Sequence, residues 1–407
     1  MAGWRFLDPT RSEGGNRVTH TIRGTVAPGF EPVRAAFESA FENKPDMGAA
    51  LSVRHHGEIV VDLWGGLADP RRGTPWQEDT LSVIFSCTKG LSSILAARLV
   101  QEGRLNYQAP VVEYWPEFGA AGKAGVTVKD LLAHRSGLSA PRDVLTTADV
   151  IDWTSVVARL AEQAPLWDPD SGWGYHAITH GWLIGEVIRR ITGLTVGQYF
   201  QQLVAGPLKA EAWIGLPASL TDRVAKMQVG STLAQLIAQQ DEARQPGVTD
   251  WSDRAMTLGE AWPAALVGDG IGFNDPRVQR AEIPGAGGIS SAQALATIWS
   301  ATIEETEGVR LLEEATLREA LQVQSEGPPV FDVPGPWPRW GMGFQLDSEA
   351  RRYLTPDGFG HDGAGGQVAF ADPVLGIGFA FLTNQMEAIA DVRGTAIVDS
   401  LRGVLRP

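Results

Sequence analysis

Strand-like alternation at both ends of this chain, with helical spacing through the middle, constrains its fold more than any other feature. Near the start, Val33, Phe37 and Phe41 fall four apart, which predicts an amphipathic helix with one buried face. A hairpin follows. Leu51 and Val53 alternate with polar residues, His56-Gly57 supplies a turn, and Ile59, Val61 and Leu63 resume the alternation up to Gly65-Gly66. From Ser86 to about residue 280, apolar residues recur at helical spacing, broken by Gly and Pro. One helix starts where Thr127 caps and Asp130 favours the first turn; another runs from about His176 to Arg190 and stops before Gly193. Alternation returns in Val368 and Phe370 and again in Ile377, Phe379 and Phe381, across an Ala371-Asp372-Pro373 turn. A helix over about Glu387 to Leu401 closes the chain. This order predicts a mixed α/β (α+β) fold: one domain assembled from residues 1–82 and 283–407, with a mostly helical domain of residues 83–282 inserted in it. The stretch from about Leu216 to Phe273 mixes Gln- and Asp-rich pieces with Trp251 and Trp262, and reads either as a pocket-lining excursion or as a solvated connection.

Charge narrows the partners. A formal net charge of −14 repels nucleic acid and anionic membrane surfaces at long range. No apolar run approaches membrane-spanning length, and Met1 to Arg17 is polar and Gly-rich, without the apolar core of a secretory signal. A lone cysteine, Cys87, excludes an intramolecular disulfide and fits a reducing compartment, so the expected location is the cytoplasm.

The chemistry centres on Ser86-Cys87-Thr88-Lys89. If a helix begins at Ser86, residues i and i+3 share a face, and the Lys89 amine reaches the Ser86 hydroxyl. A lysine among apolar neighbours loses its preference for the charged form and, once neutral, accepts the serine proton. The helix N-terminus favours developing negative charge. No G-x-S-x-G nucleophile elbow competes for the role. Two partners offer themselves. Tyr175, just before a predicted helix start, is a phenol that a nearby ammonium drives toward phenolate, making it a base for acylation and an acid for the leaving group. Gly360-His361-Asp362-Gly363-Ala364-Gly365-Gly366 precedes a strand; its small residues allow close approach to the backbone, and the Ala364 N–H completes an oxyanion hole with that of Ser86. Plain packing of the tyrosine and a simple Gly-rich turn are the competing readings.

Other candidates carry less. His176 and His180 have the i, i+4 spacing of a zinc helix, but Ala177 stands where a catalytic glutamate belongs, so no metal is expected. His55-His56 reads as a solvated turn, Cys87 as inert packing, and His134-Arg135 as structural residues bonding loop carbonyls. Trp173, Trp340 and Phe344 are candidates to wall an acyl or alcohol pocket.

Together these stretches resemble the serine β-lactamase and penicillin-binding-protein superfamily, and within it the β-lactamase-like esterases called family VIII carboxylesterases. Ser86 to Lys89 matches S-x-x-K, Tyr175 the tyrosine of Y-x-N, and His361-Asp362-Gly363 the K-T-G place in its H-x-G form. Asp130 to Leu138, Pro284 to Gly288 and Trp340 to Phe344 match as well, so the likeness spans roughly residues 30 to 400. The resemblance implies an antiparallel sheet flanked by helices, an inserted helical domain, and an active site in the cleft between domains. It implies Ser86, Lys89 and Tyr175 as catalytic, and His361 and Gly363 as substrate-binding, with no cofactor and a small-molecule ester as substrate. The departures choose the substrate. His361 lacks the permanent cation that grips a carboxylate, and Ala177 lacks the amide of Y-x-N. Both point to neutral esters. An amide or reactive lactam substrate, acyl transfer to another acceptor, and a catalytically idle binding protein are the alternatives, and either Lys89 or Tyr175 serves as base.

Overall fold

The computed structural model describes residues 20–388 and 391–406. The leader reading of Met1 to Arg17 lies outside them. Strand β1 (Ile22–Val26) is followed by α1 (Glu31–Ser39), β2 (Gly48–His55) and β3 (Glu58–Asp69). The β2–β3 hairpin turns at His56 and Gly57, both at positive φ (+49° and +79°), the geometry whose twist matches the flanking strands. The remaining sheet strands come from the other end of the chain: β4 (Arg339–Trp340), β5 (Gln345–Leu346), β6 (Phe359–Gly363), β7 (Gln367–Asp372) and β8 (Ile377–Thr383). Their spatial order is β1-β3-β2-β8-β7-β6-β5-β4, antiparallel throughout, with the short strand Thr74–Pro75 added on β3. The two ends of the chain meet where Leu51 faces Phe381 and Val53 faces Phe379.

Both faces of the central strands are buried, and alternation sorts their side chains. Phe379 and Phe381 of β8 point to one side, where they pack with Val33 and Phe37 of α1 and with Ile397, Val398 and Leu401 of α6 (Arg393–Leu405). Ala380 and Leu382 point to the other, under α5 (Ala292–Ile303). This second core runs on through Trp299 and Leu91 into Leu183 and Val187 of the helical region. The helix expected from about Glu387 begins at Arg393 instead. Gln385–Met386 is held extended by pairing with Gln228–Val229, and the Asp391 carboxylate binds the Arg393 N–H and guanidinium.

Three helices surround the catalytic candidates: α2 (Cys87–Gln101), α3 (Val128–Leu132) and α4 (Thr179–Thr192). Helix α2 is buried on nearly every side, packs against α4 and β6, and ends before Gly103 at φ +69°. The stretch 216–273 divides its two readings. Its helix Ser231–Ala243 buries no residue, whereas Trp262 and Phe273 are buried and reach the back of Phe85. No helix among the described residues is long and apolar enough to cross a membrane.

Candidate active site

A short sheet aims the chain at Ser86. Ser82–Val83 pairs with Gly288–Ser290, which pairs in turn with Ala212–Ile214, and the Ile84 N–H bonds the Gly288 carbonyl at 2.9 Å. The chain then turns sharply through Phe85, whose φ of +44° lies in the left-handed region, a conformation costing a bulky residue about 1–2 kcal/mol. Three contacts hold it there. The buried ring packs edge-on against Phe273 at 5.2 Å, the Thr88 hydroxyl donates to the Phe85 carbonyl at 2.5 Å, and the same hydroxyl accepts the Gly288 N–H at 2.8 Å. The turn delivers Ser86 as the N-cap of α2, the one position from Thr80 to Ala97 with part of its surface open to solvent.

One turn later, Lys89 is fully buried, with Nζ 2.9 Å from Ser86 Oγ, 2.6 Å from the Ala177 carbonyl and 2.8 Å from the Gly285 carbonyl. Burial pulls its pKa well below the ordinary lysine value, with only Cys87 pulling the other way. Both carbonyls reach Lys89 through close main-chain packing. A Cβ on Gly181 would run into the backbone of Pro284 and Gly285, and one on Gly285 into the Ile178 carbonyl. So the residue in the Y-x-N asparagine place, Ala177, serves through its main chain, while its side chain is buried.

Tyr175 lies beside Ser86, close enough for the serine hydroxyl to act on its pKa, and under Lys89, whose Nζ is 4.9 Å from the ring centroid. The ring stacks on Trp340, 5.3 Å away and 15° from parallel. The expectation of a phenol driven toward phenolate is overturned. Burial raises the Tyr175 pKa, and that effect exceeds the lowering by the Ser86 hydroxyl.

The β6 strand passes beside the nucleophile turn: a Cβ on Gly363 would meet the Ile84 carbonyl. Among the described residues, neither the Ser86 N–H nor the Ala364 N–H donates a hydrogen bond. His361 is 2% exposed, and its Nδ1–H donates to the Asp362 carbonyl at 2.7 Å, so Nε2 carries a bare lone pair without a partner among the described residues. Burial, then Lys89, holds its pKa down at about 3, so the ring is neutral. The Cys87 thiol donates to the His361 carbonyl at 3.0 Å, and burial pushes its pKa up, consistent with inert packing.

Four of the seven histidines gather here, which the sequence did not suggest. His134, His176 and His180 join His361 as buried rings with depressed pKa values, burial being the first cause in each. His176 precedes α4 rather than riding on it; its Nδ1 donates to the Gly174 carbonyl at 2.6 Å, and its Nε2 accepts the Leu138 N–H at 3.2 Å and lies 2.9 Å from the Ser136 hydroxyl. The zinc-helix geometry is therefore absent, and no group of three or more His, Cys, Asp or Glu among the described residues is placed to hold a metal ion. His134 does not bond a loop carbonyl through its ring as expected. Its Nδ1 accepts the His176 N–H at 3.2 Å, and its ring lies 4.9 Å from that of Tyr175.

Of the pocket candidates, Trp340 touches the site directly, and Trp173 meets it edge-on at 6.5 Å while its indole N–H donates to the Glu326 carbonyl. Phe344 is a correction. It is fully buried, packed on Trp299 and Phe359 in the core beneath α5, and presents no pocket face.

Comparison with known proteins bears on family and fold. The family model described as Beta-lactamase matches residues 37–402. The chain is 31% identical over 388 residues to the esterase/beta-lactamase LipL of Mycobacterium tuberculosis, covering 92% of this chain and 86% of LipL. The crystal structure of a family VIII carboxylesterase superposes with a TM-score of 0.83 at 35% identity, covering 94% of this chain and all of the other. A penicillin-binding-protein homolog from Caulobacter crescentus gives 0.82 at 34% identity, with the same coverage.

Proposed function

The chain belongs to the beta-lactamase family, and on that premise we propose that it is a serine hydrolase cleaving carboxylic esters of small neutral substrates through an acyl-enzyme on Ser86. The observation that carries the reading is the buried Lys89, 2.9 Å from Ser86 Oγ, with two main-chain carbonyls as its other partners. A neutral amine satisfies this set completely: its two N–H bonds donate to Ala177 and Gly285, and its lone pair accepts from the Ser86 hydroxyl. Lys89 is therefore the base, and Tyr175, kept protonated by burial, is the proton donor.

In acylation, Ser86 Oγ attacks the ester carbonyl carbon as its proton passes to Lys89 Nζ. The oxyanion that forms takes the two uncommitted N–H groups of Ser86 and Ala364, reinforced by the α2 N-terminus. As the carbon–oxygen bond breaks, Tyr175 gives its proton to the leaving alkoxide and recovers one from Lys89, so the alcohol departs neutral and the lysine is neutral again. Water then attacks the acyl carbon, its proton going to Lys89 and on to Ser86 Oγ as the acid is released.

Substrate class follows from what surrounds the carbonyl. With His361 neutral and Nε2 an acceptor, the K-T-G place offers no cation to a carboxylate. The Y-x-N place offers no side-chain amide. Neutral esters fit both. Incubation with a fluorophosphonate followed by intact-mass and peptide analysis tests the nucleophile: one adduct on the Ser86 peptide is expected, and labelling of any other residue refutes the assignment.

A further inference from the structure

Tyr175 sits in a loop, yet its phenol must meet both Ser86 and a departing alcohol. What fixes it is largely one residue. The His134 carbonyl accepts the Gly174 N–H at 3.0 Å, and the His134 ring, through Nδ1, accepts the His176 N–H at 3.2 Å. The two bonds bracket Tyr175, one on each side. The same ring lies 4.9 Å from the Tyr175 ring and meets Trp340 edge-on at 4.6 Å, while Trp340 stacks on the other partner, Tyr175, at 5.3 Å.

Holding that pose costs backbone energy. His134 has φ +62°, a left-handed conformation for a residue with a Cβ, immediately after α3 and Ala133. Strain of this kind persists where the surroundings over-determine it, and here they do. The Arg135 N–H bonds the Asp130 carbonyl at 2.8 Å, the Ser325 hydroxyl donates to the Ala133 carbonyl at 2.7 Å, and the imidazole is fully buried. Because Nδ1 must accept, the ring proton belongs on Nε2.

We propose that His134 is a positioning residue for Tyr175, clamping the main chain on both sides of the tyrosine and packing on its ring. The inference rests on the reading of Tyr175 as proton donor to the leaving alcohol. It predicts a particular pattern of loss. Alkyl esters, whose alkoxide needs a proton, suffer when the phenol drifts; an activated aryl ester and a fluorophosphonate, whose leaving groups depart unprotonated, suffer little.

Two substitutions separate the clamp from mere space filling. Asparagine places its oxygen at the Nδ1 position and tolerates left-handed φ, whereas glutamine places its oxygen one bond further out. His134→Gln is expected to lower kcat on an ethyl ester about 10–100-fold, with KM nearly unchanged and fluorophosphonate labelling of Ser86 retained; His134→Asn is expected to stay within about threefold of the parent. In a Tyr175→Phe background, His134→Gln should cost nothing further. If Tyr175→Phe is slow but His134→Gln adds its full loss to it, or His134→Asn loses as much as Tyr175→Phe does, the clamp is refuted and the reading of Tyr175 stands. If Tyr175→Phe turns over ethyl esters normally, the reading of Tyr175 falls and takes the clamp with it. Should His134→Gln fail to label and hence to fold, the His134→Asn comparison decides alone.

Discussion

Acidification from pH 7 to pH 5 should destabilise this fold, and its buried histidines are a main cause. An unfolded histidine titrates near 6.5. In the fold, burial holds His176 and His361 down at about 3, with Lys89 adding to the effect in both and a main-chain carbonyl opposing it. The unfolded chain therefore binds protons that the fold refuses, and the stability present above about pH 6.5 is lost as pH falls toward 3. Between pH 7 and pH 5 each group removes about 2 kcal/mol, so the pair removes about 4 kcal/mol. Asp62 works the other way. Burial, then Glu78, raises its pKa to about 6, so the fold gains its proton first and recovers about 1 kcal/mol. From these three groups the net loss is about 3 kcal/mol, a fifth or more of a typical folding free energy. His134, His180 and Lys89 are depressed by burial in the same direction and deepen it, while Asp362, raised by burial, offsets part of it. Urea unfolding followed by tryptophan fluorescence, at fixed ionic strength, reads this directly. His361→Asn should reduce the loss between the two pH values by about 2 kcal/mol. A stability that is flat or higher at pH 5 would refute the argument that these rings are held neutral.

Two substitutions probe the lysine and its carbonyls. Lys89→Met should reduce kcat on p-nitrophenyl butyrate by about 10³-fold or more while lowering the urea midpoint modestly, because an apolar chain of similar length fills the space but leaves the Ala177 and Gly285 carbonyls without their donor; near-normal turnover would transfer the base role to Tyr175. Gly181→Ala forces a methyl into the backbone of Pro284 and Gly285. Its expected cost is about 1–3 kcal/mol of stability, with kcat falling more than KM rises as the Gly285 carbonyl leaves Lys89; an unaffected kcat would show that this carbonyl does not set the lysine.

What could be read in advance follows physical lines. The two central hairpins were visible because their strands alternate over many residues and their turns carry Gly, Asp or Pro; β1 was not, since it is an edge strand whose middle residues are exposed and its sequence Ile22–Val26 includes Gly24. Strands β4 and β5 are two residues each, too short for any period. At the site, Ser86, Lys89 and Tyr175 announced themselves by residue type and spacing, and the structure places them in contact. The acceptors that complete the lysine are main-chain carbonyls of Ala177 and Gly285, which no side-chain pattern encodes. His134 was invisible as a clamp for a related reason. A left-handed φ is signalled by Gly or Asn, and a histidine that adopts one leaves no trace in composition or period. Phe344 shows the opposite error, an aromatic read as pocket wall when it belongs to the core.

Every step proposed for this site passes through Ser86. Turnover of p-nitrophenyl butyrate by Ser86→Ala, compared with the parent enzyme at equal concentration, measures it most directly. A loss of about 10³-fold or more is expected, with folding intact. Hydrolysis that survives unchanged in Ser86→Ala would contradict the assignment of Ser86 as nucleophile.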